Sequence, residues 1–108
     1  MANSQRGDVS ALIGGRQRTL RLTLGALAEL EDSYGDEDLI SLAERFEQGR
    51  ISASDAIRVI AAGLRGAGED VTNQDVAAMQ IDGGAPAYVA LVARLLQATF
   101  PPAGDAPE

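Results

Sequence analysis

The sequence predicts an α+β fold, mainly α. An N-terminal β-hairpin is followed by four to five short helices packed as a small single domain. Three observations carry this reading. Residues 8–24 alternate apolar and polar on both sides of Gly14-Gly15. Helix start and stop signals then recur at the spacing of short helices. The 108 residues are 45% apolar but only 4% aromatic, enough for one modest core of Leu, Ile, Val and Ala. The expected layout is a flexible stretch over 1–7, one domain over 8–100 (hairpin 8–24, helical body 24–100), and a disordered tail over 101–108.

In the first strand Val9, Ala11 and Ile13 point one way and Ser10 and Leu12 the other. Gly14-Gly15 suits a two-residue hairpin turn, whose central residues need positive φ. On the return strand Leu20, Leu22 and Leu24 share one face, and Thr19, Arg21 and Thr23 the other. A lone two-stranded hairpin is marginal in water, so its leucine face must pack on the helices or on another chain.

Thr23 is positioned to cap a helix over 24–34 with Leu24, Leu27, Ala28 and Leu30 inward, stopped by Gly35. Asp36 to Asp38 place negative charge at the next helix start, favoured by the macrodipole. That helix buries Leu39, Leu42, Ala43 and Phe46 and ends near Gly49. Ser52 with Asp55 reads as a capping box, and Ile51 with Ala56 as a weak staple. Ala56, Ile57, Ile60, Ala61 and Leu64 form the buried stripe that follows, ending at Gly66-Ala67-Gly68. Thr72 with Asp75 repeats the box, with Val71 and Val76 as staple, and opens a short helix to about Gln80. After Gly83-Gly84, Pro86 suits a first helical turn. The last helix buries Tyr88, Val92, Leu95 and Leu96, with Phe100 near its end and Pro101-Pro102 as stop.

The chain carries no His and no Cys. His-based acid–base catalysis, thiolate chemistry and disulfides are therefore excluded, and no metal or cofactor is expected. The acidic run Asp36-Glu37-Asp38 and the pair Glu29/Asp32 read as solvated helix ends, not a catalytic pair. Asp32 to Asp38 lacks the spacing of a calcium loop. The string GLRGAG at 63–68 lacks a dinucleotide fingerprint and follows a helix, so it reads as a C-cap and turn. Arg6-Gly7-Asp8 is a three-residue coincidence. No apolar run is long enough for a membrane span, and the N-terminus has no secretory h-region. The expectation is a cytoplasmic, non-enzymatic protein.

Net charge is −7, unevenly spread. Residues 1–21 hold Arg6, Arg16, Arg18 and Arg21 against Asp8, a balance of +3; the remainder holds five Arg against fifteen acids, −10. A body this acidic does not suit nucleic acid. All basic residues are Arg, which fits a biased genome composition and also interfacial ion pairs. Two readings of Arg16, Arg18 and Arg21 stay open. They solvate the hairpin and block edge-to-edge aggregation, or they dock an acidic partner, with a partner strand adding to the free edge. Leu12 and the Leu20/Leu22 face join that second surface if only partly covered, and Arg65 is a further candidate contact.

GDVSALIGGRQRTLRLTLGALAELE, LISLAERFEQGRISASDAIRVIAAGLRGAG, VTNQDV and YVALVARLLQATF, in that order, resemble a small tail protein family of gene transfer agents and phages. The resemblance spans roughly residues 6–100. The family is encoded in the tail module of alphaproteobacterial gene transfer agents, beside the major tail protein and the tape-measure protein. It is described both as a tail tube protein and as a tail assembly chaperone. The resemblance therefore implies one of two roles. A chaperone would shield the tape-measure protein and recruit the major tail tube protein; a structural subunit would sit in the tube or at a junction of the particle's tail. The scarcity of strands favours the chaperone. The expected contacts are Arg16, Arg18, Leu20, Arg21, Leu22 and Arg65. A homo-oligomer is possible, and no nucleic-acid or membrane partner is expected.

Overall fold

The computed structural model describes residues 8–35, 38–79 and 83–99. Two strands, β1 (Asp8–Ile13) and β2 (Arg16–Arg21), precede five helices. These are α1 (Leu24–Tyr34), α2 (Leu39–Glu47), α3 (Ala53–Gly66), α4 (Asn73–Ala77) and α5 (Ala85–Thr99). The strands pair antiparallel in the register Asp8 to Arg21 through Ile13 to Arg16. Gly14 and Gly15 hold φ of 63° and 79°, so both turn positions use the conformation that glycine alone adopts freely.

The caps follow the sequence closely. Thr23 accepts from the Ala26 N–H at 3.1 Å. Asp38 accepts from the Ser41 N–H at 2.8 Å, which holds its carboxyl below the usual carboxylate range. Ser52/Asp55 and Thr72/Asp75 both close full capping boxes. Gly35 ends α1 at φ 73°.

α3 is the central element. It packs on β2, α1, α4 and α5, and α5 also covers β1. The core is aliphatic: Ile13, Leu20, Val59, Ile60, Leu64, Val76, Val92 and Leu95 are the largest fully buried side chains. Of the expected α3 stripe, Ala56, Ile60, Ala61 and Leu64 are buried and Ile57 is half-buried, while Val59, Ala62 and Gly63 are buried as well, because α3 has neighbours on several sides. Leu91 likewise joins the buried face of α5.

Three expectations are corrected. Leu24 is neither on the strand nor inward: β2 ends at Arg21, and Leu24 opens α1 at 82% exposure. Ala28 is exposed too. The buried positions are Ala26 and Leu30, and residues two apart on a helix lie about 200° from each other, so Leu24 and Ala28 face away. Third, α4 stops at Ala77, short of Gln80. The expectations for 1–7, 36–37, Gln80, Phe100 and 101–108, and for the Leu39 side chain, lie outside what is described.

Gly63 and Gly66 let α3 lie flat on β2. A Cβ on Gly66 would stand 2.0 Å from the Arg21 carbonyl oxygen. One on Gly63 would meet the Leu95 side chain at 2.9 Å and the Leu20 Cβ at 3.1 Å. The obstacle at Gly66 is backbone and cannot turn aside. Gly66→Ala is therefore expected to cost at least about 2 kcal/mol in urea unfolding, and more than Gly63→Ala, where a leucine end can shift. An equal or reversed ranking would refute this account of the α3–β2 contact.

Candidate partner-binding surface

The hairpin alternation decides where each candidate residue goes. Residues 16, 18, 20 and 22 share one parity, so Arg16 and Arg18 follow Leu20 and Leu22 toward the body. Leu20 is fully buried and Leu22 is 7% exposed. Both belong to the core of this chain and offer no apolar surface to a partner. Arg18 and Arg16 extend past the core edge to Glu69, in the turn after α3. Arg18 pairs with Glu69 and donates through Nε to the Ile13 carbonyl at 2.9 Å. Its side chain is only 12% exposed. Arg16 reaches the same carboxylate at 3.5 Å and stays 67% exposed.

Arg21 lies on the opposite face, directly across from Asp8. It grips both carboxylate oxygens, with Nη2 to Oδ2 at 2.9 Å, and that hydrogen-bonded anion raises its already high pKa. Arg65 ties three segments together. It meets Glu29 of α1 at 3.1 Å, the Val71 carbonyl at 2.9 Å and the Asn73 side chain at 3.3 Å. Of the six candidates, Arg16 keeps the largest share of its side chain in solvent; near it, Leu12 is 41% exposed.

Both hairpin edges are partly occupied from within. α3 crosses the Arg21 carbonyl closely enough to exclude a third strand there. On β1, Arg94 of α5 donates to the Ser10 carbonyl at 3.0 Å. Strand addition is thus restricted to the tip, near Leu12 and Gln17.

A buried polar hub lies at the other end of α3, and the sequence marked it only as a cap. Asp55, 4% exposed, accepts from Tyr34 of α1, from Arg45 of α2 at 3.0 Å and from the Ser52 N–H at 2.9 Å. Burial pushes its carboxyl up, but the Tyr34, Ser52 and Arg45 hydrogen bonds outweigh that and hold it below its ordinary value. Burial, with the bond to Asp55, pushes the Tyr34 phenol up to about 12. Arg45 also lies over the rings of Tyr34 and Phe46, at 5.7 and 5.0 Å from their centroids. At neutral pH Tyr34 keeps its proton and Asp55 its charge, and through them the hub joins α1, α2 and the start of α3.

Grooves open on the surface of the described residues. A polar one of about 600 Å³ runs between α1, α3 and residues 70–73, with Asp32, Arg58, Arg65 and Asp70 among its walls. An apolar one of about 340 Å³ lies between the start of α3, α4 and α5, walled by Ile51, Ala53, Ile57, Val76, Tyr88 and Val89. Among the described residues no group of three acids is gathered as a cation site.

Two predictions follow from these pairings. Arg18→Ala should destabilise the fold by about 1–2 kcal/mol, through the loss of a charged hydrogen bond, whereas Arg16→Ala should stay within about 0.5 kcal/mol. Equal losses in urea unfolding would contradict the assignment of Arg18 as a structural tie. Asp55→Asn should cost about 2 kcal/mol at pH 7. A depressed folded pKa gives stability that is complete above the unfolded value, about 3.9, and is lost as pH falls through the folded one. The gap between wild type and Asp55→Asn should therefore narrow from pH 7 to pH 3. A gap that stays constant would exclude the ionised hub.

Residues 6–101 match the model of the family described as phage tail tube protein, GTA-gp10. No curated protein and no solved structure gives a significant match. The family match covers both strands, all five helices and every candidate contact residue. The chain belongs to the phage tail tube protein, GTA-gp10 family.

Proposed function

We propose that this chain is a non-enzymatic structural component of the tail of a gene transfer agent or phage-like particle, as a tube or junction subunit. The family match over residues 6–101 is the observation that carries this reading. The absence of His and Cys from the sequence is consistent with it, since it removes the commonest acid–base and nucleophilic side chains. Its neighbours in the particle would be other tail proteins, with Arg16 the most accessible hairpin contact.

A second reading, that of a tail assembly chaperone, draws on a different observation. The described β-structure is one two-stranded hairpin, and its edges are partly taken by α3 and Arg94. A tube subunit that joins its neighbours strand to strand needs longer and freer edges than these. A chaperone would instead cover the tape-measure protein through helical surfaces, promote assembly of the major tail tube protein, and stay in the cytoplasm.

Quantitative mass spectrometry of purified particles separates the two roles. The structural reading expects this chain at a fixed ratio to the other tail proteins. Its absence from mature particles, together with capture of the tape-measure protein on co-expression, would replace that reading with the chaperone.

A further inference from the structure

The apolar groove and the outer face of α2 are complementary. The groove is walled by Ile51, Ala53, Ile57, Tyr88 and Val89, with no carboxylate among its lining residues. Arg50, next to Ile51 in the chain, is exposed; its guanidinium bonds the Gln48 side chain and has no carboxylate partner among the described residues. On a protein of net charge −7, a groove whose lining carries no acid stands out. The outer face of α2 has the opposite character. Ile40 is 71% exposed, and Glu44 and Glu47 follow at i+4 and i+7 on the same helical face. Both glutamates are exposed and form no ion pair among the described residues. The cation of that helix, Arg45, is turned inward to Asp55.

We infer that the groove between α3, α4 and α5 is the docking site for α2 of a second copy of this chain. Ile40 enters between Ala53, Ile57 and Val89, and the Glu44/Glu47 stripe lies along Arg50. This is a helix laid into an apolar groove, with charge fixing its direction. The knob and the groove are different surfaces, so each copy offers one of each to its neighbours. The contact is independent of whether the protein remains in the particle, and particle composition does not test it.

Two substitutions test it without endangering the fold. Ile40→Glu removes the knob and Ala53→Glu closes the groove mouth. Each places an acid in the first turn of a helix, where the macrodipole favours it. Sedimentation velocity on the purified full chain, up to about 1 mM, the weak end of specific association, is the measurement. The wild type is expected to associate with rising concentration, and each variant to do so at least about tenfold more weakly. An equimolar mixture of the two variants keeps one intact knob and one intact groove, and is expected to associate where each alone does not. A wild type that stays monomeric, a variant that associates like the wild type, or a mixture no better than its components would overturn the proposal.

Discussion

The contact on which the rest of the structure depends is the close approach of α3 to β2. A two-stranded hairpin has no independent stability, so it must lie against something flat and apolar. α3 supplies that surface because Gly63 and Gly66 remove side chains from the line of contact, bringing helix backbone against the Arg21 carbonyl. Leu20 is sealed as a result, and β1 is carried into place by its register with β2. With one face of α3 closed by the hairpin, its other sides are free for α1, α4 and α5. The helix is then surrounded, which explains why so many consecutive residues from Val59 to Leu64 are buried. A core built almost without aromatic residues gains less from each side chain, and close backbone packing is the means left to exclude water.

Arginine completes what the small core leaves loose. Arg18 fastens the hairpin to Glu69, Arg21 closes the strand ends on Asp8, Arg65 joins α3 to Glu29 and Val71, and Arg45 joins α2 to Asp55. Each guanidinium meets a carboxylate, and those of Arg18, Arg45 and Arg65 also meet a backbone carbonyl, using a planar multi-donor group that lysine lacks. The charge asymmetry along the chain therefore has a different meaning in three dimensions. Of the described hairpin arginines, Arg18 is spent on Glu69 of the body and Arg21 on Asp8 of the facing strand, while Arg16 also reaches Glu69 but stays mostly in solvent.

Much of this was legible in the sequence, for local reasons. Hairpin turn, caps and capping boxes depend on a few adjacent residues, and Gly14-Gly15, Thr23, Ser52/Asp55 and Thr72/Asp75 all act as read. What escaped depends on distant residues. Gly63 and Gly66 looked like the end of a helix because their reason lies on β2, more than forty positions earlier. Asp55 was legible as a cap, but its bonds to Tyr34 and Arg45 depend on how three helices meet. Leu24 was misplaced because strand and helix patterns overlap there, and the direction of α1 is set by Ala26 and Leu30. The candidate surface suffered most: Leu20 and Leu22 read equally as core or interface until α3 was placed over them.

The same packing bears on how such a chain meets its neighbours in a tail. The hairpin carries the regular hydrogen-bonding edges that β-proteins use to join, yet α3 crosses one edge and Arg94 caps part of the other. What remains in solvent is mostly helical: Leu24 at the start of α1, Ile40 and its glutamates on α2, and Val89 beside the apolar groove. Scattered exposed aliphatic residues are ordinary on any surface, but a groove is not, because it leaves apolar walls wet on several sides at once. Filling it removes more water per added side chain than covering a flat patch would. For a small acidic protein, association through helices and grooves also leaves the hairpin undisturbed, so the α3–β2 contact that holds the fold need not open when a partner arrives.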